Sequence, residues 1–401
     1  MSRIVSGQPL SGITVIDLSH VYNGPYATFL LAQAGARVIK VEPPGGEHLR
    51  RRAALGGPAL PFAMLNSNKL NVSLDLKQEA GKSLLRAMAA KTDVLVENFA
   101  PGVMQRFGLG PETLQAKNPR LIYACSSGYG LSGPYRDYPA MDLTVQAMSG
   151  IVGITGHAGG APVKTGPAIA DFFAGTHLYG GIVTALYERE QTGRGRIVEV
   201  SMLEAVYASL ASSLGMVHAN GGHQPERTGN RHGGLAEAPY NIYPTKDGSI
   251  AILGVGDNHF RTLLEIMARP ELRDDPRFTT LKARVAHMDE IDAMISVWTS
   301  TRRKQDIADA LLAQRVPCAP VRELPEVMND PHLHQRGALE RVEHPEYGPL
   351  VLQHSPIRYH GVPPFQLEPS GQLGRDTRAV YTDWLGVDAA ELERLETAGV
   401  V

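Results

Sequence analysis

Asp171 is the residue whose setting most suggests chemistry. It lies within residues 162–196, where a loop containing Pro and Gly gives way to an apolar helical pattern. Phe172, Phe173, Leu178, Ile182, Val183 and Leu186 follow at spacings suited to a buried element. A carboxylate among apolar walls, held ionised by backbone N–H groups and the helix dipole, is a nucleophile for an activated acyl carbon. Local sequence offers a second reading, because Asp is among the commonest N-cap residues and the cap is the default for an acid at a helix start.

Metal and thiol chemistry have less behind them. Cys125 and Cys318 are far apart, with neither metal-ligand nor redox spacing, and read as free thiols in the cytoplasm. Of the 14 histidines, His332 and His334 come nearest to a pair, but no Cys and no His-Glu-x-x-His pattern accompanies them. A solvated turn is expected there, and no metal.

The elements that must position Asp171 alternate. Strand patterns at 13–17, 37–42, 72–76, 93–97 and 121–125 are interleaved with helical patterns at 26–34 and 79–90, which predicts an α/β fold with an open, mostly parallel, Rossmann-like sheet. Glu42 ends the second strand where a ribose-binding acid often stands, but residues 18–26 lack the three spaced glycines that admit a pyrophosphate, so no NAD is expected. Ligands of such sheets bind beyond the strands' carboxyl ends, which draws attention to the Pro-Gly break after Asn98 and Phe99. A long loop at 128–140 leads into a helix in which Asp142 is an early acid. Ser201 and Glu204 have capping-box spacing before a helix running to about 217.

Residues 219–230 then break the apolar pattern and mark the boundary of a second, smaller α+β lobe. Strands about an Asp-Gly turn are expected over 238–252, helices over 258–268 and 288–315, strands over 348–359 and helices over 376–395. The expected division is a large domain from 1–190, a linker helix region at 191–229, a small domain at 230–325, and a return through 326–401 to the large domain.

Composition sets wide bounds. In 401 residues, 43% hydrophobic and 20% charged, the formal charge of −2 argues against a broad nucleic-acid footprint. The first nine residues lack a signal-peptide pattern, and no apolar run approaches the roughly 20 residues needed to span a bilayer. A soluble, cytoplasmic protein with no membrane partner is expected.

Beyond these readings, residues 162–196 with the following 198–206, Glu97-Asn-Phe99 and Gly128-Tyr-Gly130 resemble the signature regions of the class III CoA-transferase family, also called CaiB/BaiF, and the likeness runs over about 10–401. The resemblance implies that Asp171 is the nucleophile. It implies that His20, Val21, Asn23, Leu74, Lys77, Asn98, Phe99, Arg106, Gly128, Tyr129 and Asp142 line or border a coenzyme A site, with Lys77 and Arg106 suited to phosphates. It also implies an acyl-CoA and a small carboxylic acid as substrates, no permanently bound cofactor, and an interlocked homodimer whose active site lies between the large domain of one chain and the small domain of its partner. The related α-methylacyl-CoA racemases carry a His directly before the acid matching Asp142; here Met141 stands there, and a thioether cannot shuttle an α-proton, so two-base racemisation is disfavoured and a racemase-like isomerase or lyase acting on a CoA thioester is the alternative reading. Arg50, Arg51 and Arg52 form either a solvated charge run or a greeting for a second carboxylate, and His232 either reaches the site or is structural.

Overall fold

The structure, a computed structural model, describes residues 7–52, 57–362 and 365–401. Most of the N-terminal stretch read above for a signal peptide lies outside the described residues.

Six strands form one sheet: β1 (Thr14–Asp17), β2 (Arg37–Glu42), β3 (Lys69–Ser73), β4 (Val94–Glu97), β5 (Ile122–Ser127) and β6 (Ile197–Ser201). Their order is β3-β2-β1-β4-β5-β6 and every pairing is parallel. Because strand side chains alternate between faces, Val15, Val38, Val94, Val96 and Ile122 meet one layer, while Ile16, Ile39, Leu95 and Tyr123 meet the other. The first layer contains Ala27 and Leu31 of the Asn23–Gln33 helix and Leu178 and Ile182 of the Ile169–Thr192 helix. The second contains Leu85 and Met88 of the Glu79–Ala89 helix and the late residues Val380, Tyr381, Leu392 and Leu395. Chain order reverses between β1 and β4, so a crevice is expected beyond their carboxyl ends.

Several elements differ from the sequence reading: the strands expected over 348–359 end at Gln353, the helix expected to about 217 is interrupted by a tight turn at Ala208–Leu210, and three others differ for a visible reason. The strand expected at 72–76 starts at Lys69, a buried lysine whose Nζ reaches Asp17 at 2.9 Å; a charged residue hid the strand's beginning. The helix expected over 288–315 is two, Met288–Thr299 and Lys304–Ala313, separated where Arg302 donates to the Trp298 carbonyl at 2.8 Å. The helices expected over 376–395 are a short turn, a π-turn at Val380–Leu385 ended by Gly386 at φ 85°, and Ala389–Thr397 capped by Asp388.

Two compact units result. One comprises the described residues of 7–146, 167–206 and 330–401; it holds the parallel sheet and a hairpin of β10 (Leu339–His344) and β11 (Gly348–Gln353). The other comprises 147–166 and 207–329, and is built on the antiparallel strands β7 (Tyr240–Thr245), β8 (Gly248–Leu253) and β9 (Cys318–Pro320). Its core gathers Tyr243, Ile250, Ile252, Phe260, Ile291 and Leu311, from strands and helices alike. Among the described residues, no helix is long and apolar enough to cross a membrane.

Candidate active site

Asp171 is the third residue of the Ile169–Thr192 helix, and the N-cap position belongs to Ala168, which offers no side-chain cap. The default reading of Asp171 as a cap is therefore set aside. The missing cap comes from Asp142: its Oδ1 accepts from the Ala170 N–H at 2.8 Å and the Asp171 N–H at 3.2 Å, and its Oδ2 from Gln146 Nε2 at 2.6 Å. A side chain thus satisfies first-turn donors from outside the helix, leaving Asp171 unengaged by its own turn.

Opposite Asp171 lies the loop that leaves β1. Asn98, just past β4, staples it: its Oδ1 accepts from His20 N–H at 2.8 Å, and its Nδ2 donates to the His20 carbonyl at 2.7 Å and to Asn23 Oδ1 at 2.8 Å. One amide thus joins the two strands flanking the reversal of chain order. Phe99 meets the His20 ring edge-on at 5.3 Å, while Phe172 packs between Tyr22 and Tyr26. Asn23 opens the Asn23–Gln33 helix, and its backbone N–H faces the Asp171 carboxylate. The carboxylate therefore lies at the first turn of its own helix and against the first donor of another.

Gly175, one turn beyond Asp171, permits this approach. A Cβ there would sit 2.5 Å from the Asn23 carbonyl oxygen. Gly24 similarly leaves room for Ser19, whose Cβ would be 2.2 Å away. Beneath the loop, buried Asp17 accepts from Ser19 N–H at 2.9 Å, Thr28 Oγ1 at 2.7 Å and Lys69 Nζ at 2.9 Å, and Lys40 Nζ donates to the Ser19 carbonyl. Burial alone would raise the Asp17 pKa, but Lys40 and Lys69 hold it well below the usual carboxylate range. Burial, aided by Lys40, pushes His20 down to about 4, so its ring is neutral at physiological pH.

Asp171 is 7% exposed. Burial, and then the Asp142 charge, push its pKa up to about 7, against the pull of the Asn23 N–H. Apolar walls outweigh the donors expected to hold the carboxylate ionised, so proton loss falls near neutrality. Asp142→Asn keeps an acceptor for the two helix donors while removing the charge. The acid limb of the pH–rate profile is expected to move down by about half a unit to one unit; an unmoved limb would show that Asp142 does not set it.

The remaining residues assigned by resemblance follow carboxyl ends of strands in the same sheet. Leu74 and Lys77 come after β3, Arg106 after β4, Gly128 and Tyr129 after β5. Lys77 and Arg106 face solvent, whereas the Leu74 side chain is 1% exposed and belongs to the core, which leaves it only backbone contacts for a ligand. Gly128 is needed for close packing, since a Cβ would lie 2.1 Å from that of Ala140. Tyr129 clusters with Tyr135 and Tyr138.

Other candidates resolve differently. Arg50 grips both oxygens of Glu42 at 2.7 Å and stacks over Phe62, so it is not free for a second carboxylate; Arg51 and Arg52 are exposed. His232 lies in the second unit, with Nδ1 accepting from Gly234 N–H at 3.1 Å and its ring against Tyr240. Asp330 caps the short Pro331–Gln335 helix that carries His332 and His334, and among the described residues no three His, Cys, Asp or Glu side chains gather as a metal-binding group. Sequence reasoning missed Gly175 and the Asp17–Lys69 pair; the spacing of Gly175 four residues after Asp171, on the same helix face, was the available signal.

Comparison with known proteins settles the kinship of this chain. CoA-transferase family III matches residues 10–377. The chain belongs to that family. It is 38% identical to acetyl-CoA:oxalate CoA-transferase of Acetobacter aceti, over 88% of this chain and 90% of that protein. It is 35% identical to succinyl-CoA–D-citramalate CoA-transferase of Chloroflexus aurantiacus, over 98% of each. The crystal structure of a CaiB/BaiF family protein from Brucella suis matches with a TM-score of 0.82 at 31% identity, covering 94% of this chain and 99% of that one. This class III CoA-transferase thus shares its fold with a solved family member, and its named relatives are CoA-transferases.

Proposed function

We propose that this enzyme moves CoA from an acyl-CoA donor to a small carboxylic acid through covalent intermediates on Asp171. The observation that carries the reading is the buried Asp171 carboxylate facing the Asn23 N–H, with no ion-pair partner among the described residues. The carboxylate attacks the donor thioester, giving an aspartyl mixed anhydride and CoA thiolate. The thiolate attacks the aspartyl carbonyl, releases the donor acid and leaves an aspartyl-CoA thioester. The acceptor carboxylate attacks that thioester to give a second anhydride and thiolate, and the thiolate then takes the acceptor's acyl group, regenerating Asp171.

Once Asp171 is acylated, the Asn23 N–H faces its carbonyl oxygen, where negative charge grows as the thiolate adds. Such a donor is worth roughly 3 kcal/mol. Lys77 and Arg106, both solvent-facing at the carboxyl edge of the sheet, suit the phosphates of CoA, with His20, Val21, Asn23, Asn98, Phe99, Gly128 and Tyr129 bordering the pantetheine path. The similarity to oxalate and D-citramalate enzymes favours a dicarboxylic substrate. The working unit is an interlocked homodimer; the exposed apolar run of Tyr135, Tyr138, Met141 and Leu143 supports a covered surface, and light scattering should find two chains per particle rather than one.

Incubation with acetyl-CoA, succinyl-CoA or oxalyl-CoA followed by borohydride should convert Asp171 to an alcohol, identified by peptide mass mapping. Labelling elsewhere would remove Asp171 from the mechanism. No labelling, together with deuterium entering the α-carbon of a bound thioester from solvent, would favour the isomerase alternative.

A further inference from the structure

Val21 has φ 66°, a left-handed conformation that is a genuine outlier for a β-branched residue. Such strain persists only where surrounding structure over-determines it, and it concentrates at functional sites. Two residues later Asn23 presents the N–H that faces Asp171. The sign of φ at Val21 therefore sets the direction in which the following peptides enter the helix.

What holds Val21 is Glu47. Its Oε2 accepts the Val21 N–H at 3.2 Å. Glu47 is 1% exposed, and its Oε1, also buried, has no hydrogen-bond partner among the described residues. Among the described residues its side chain therefore has one hydrogen-bond partner, the Val21 N–H. Glu47 is itself fixed: its N–H donates to Glu42 Oε2 at 3.1 Å, and Glu42, the last residue of β2, is clamped by Arg50. A continuous brace thus runs from the sheet through Glu42 and Glu47 to Val21 and Asn23. Glycine would adopt the same turn without strain but would also sample its mirror image; valine pinned by a carboxylate does not.

We propose that Glu47 is a positioning residue, whose carboxylate locks Val21 in the left-handed turn and thereby aims the Asn23 N–H at Asp171. The proposal rests on the nucleophile reading above. Its consequence is directional: without the lock, Val21 relaxes to negative φ, the Asn23 N–H turns away, and Asp171 keeps only burial and the Asp142 charge around it.

Glu47→Ala is expected to lower kcat about tenfold or more while KM for the acyl-CoA changes less than about threefold. The acid limb of its pH–rate profile should move up, since a donor to the ionised carboxylate is lost. Adding Val21→Gly to Glu47→Ala should recover part of kcat, because glycine enters the left-handed turn without strain for part of the time; a loss caused by general destabilisation would not be recovered. If Glu47→Ala does not fold, Val21→Pro in otherwise wild-type protein removes the same N–H and forbids positive φ, and should show the same kcat loss and limb shift. A folded Glu47→Ala, or Val21→Pro in its place, with wild-type kcat and limb overturns the brace. Borohydride trapping separates the two ideas: wild-type protein unlabelled at Asp171 removes the nucleophile, whereas labelled wild type with equally fast labelling of the variant removes only the brace.

Discussion

Asp171→Asn is expected to abolish CoA transfer, by at least about a thousandfold in kcat, while stabilising the folded protein above neutral pH. Both effects have one cause, a carboxylate kept in apolar surroundings. The pKa of Asp171 is raised from 3.8 to about 7, by burial first and the Asp142 charge second. Below the unfolded value, native and unfolded chains both hold the proton, and Asp and Asn contribute alike. As pH rises to about 7, the unfolded chain has released its proton while the native one retains it, so native stability falls. Above about 7 the native group is ionised at a cost the unfolded chain does not bear. With about 1.4 kcal/mol per pKa unit, the advantage of Asn grows to a few kcal/mol at pH 8. Urea unfolding of both proteins at pH 4 and pH 8 checks the sign; an advantage that is constant with pH, or largest at pH 4, would contradict the raised pKa. Retained wild-type turnover would remove the nucleophile.

Gly175→Ala should be strongly damaging to turnover, because its added methyl falls between the two helices that frame Asp171. The added methyl would meet the Asn23 carbonyl oxygen at 2.5 Å and Tyr26 Cδ1 at 3.2 Å. Backbone cannot swing aside as a flexible side chain can, so the two helices must part and the Asn23 N–H leaves Asp171. A loss of about a hundredfold in kcat is expected, with about 1–3 kcal/mol of stability from overpacking. Gly180→Ala in the same helix is the control: a Cβ there meets nothing within 4 Å, so helix propensity alone acts and stability should rise by up to about 1 kcal/mol. If Gly175→Ala behaves like Gly180→Ala, the close approach of the two helices is not what positions the site.

How much of this was legible in the chain differs by element. The strand at Arg37–Glu42 was bounded to the residue, and those at Thr14–Asp17 and Val94–Glu97 to within one, because short β-branched apolar stretches stand between turn residues at each of them. The beginning of the Lys69–Ser73 strand was not, because its lysine is buried by pairing with Asp17, 52 residues earlier, and no local pattern announces a partner at that distance. Similarly, Arg50 was legible as a charge but not as the clamp on Glu42.

The sequence by itself determined the alternating architecture, the apolar helix bearing Asp171, the family resemblance and the loops after each strand, since these depend on local periodicity and on motifs of consecutive residues. Tertiary structure alone decided that Asp142, not Asp171, caps that helix, that Gly175 admits the Asn23 helix, that Glu47 holds Val21, and that Asp171 ionises near neutrality. Each of these depends on which groups from distant segments share a few ångströms of space and how much water remains among them, and packing, rather than residue order, fixes both.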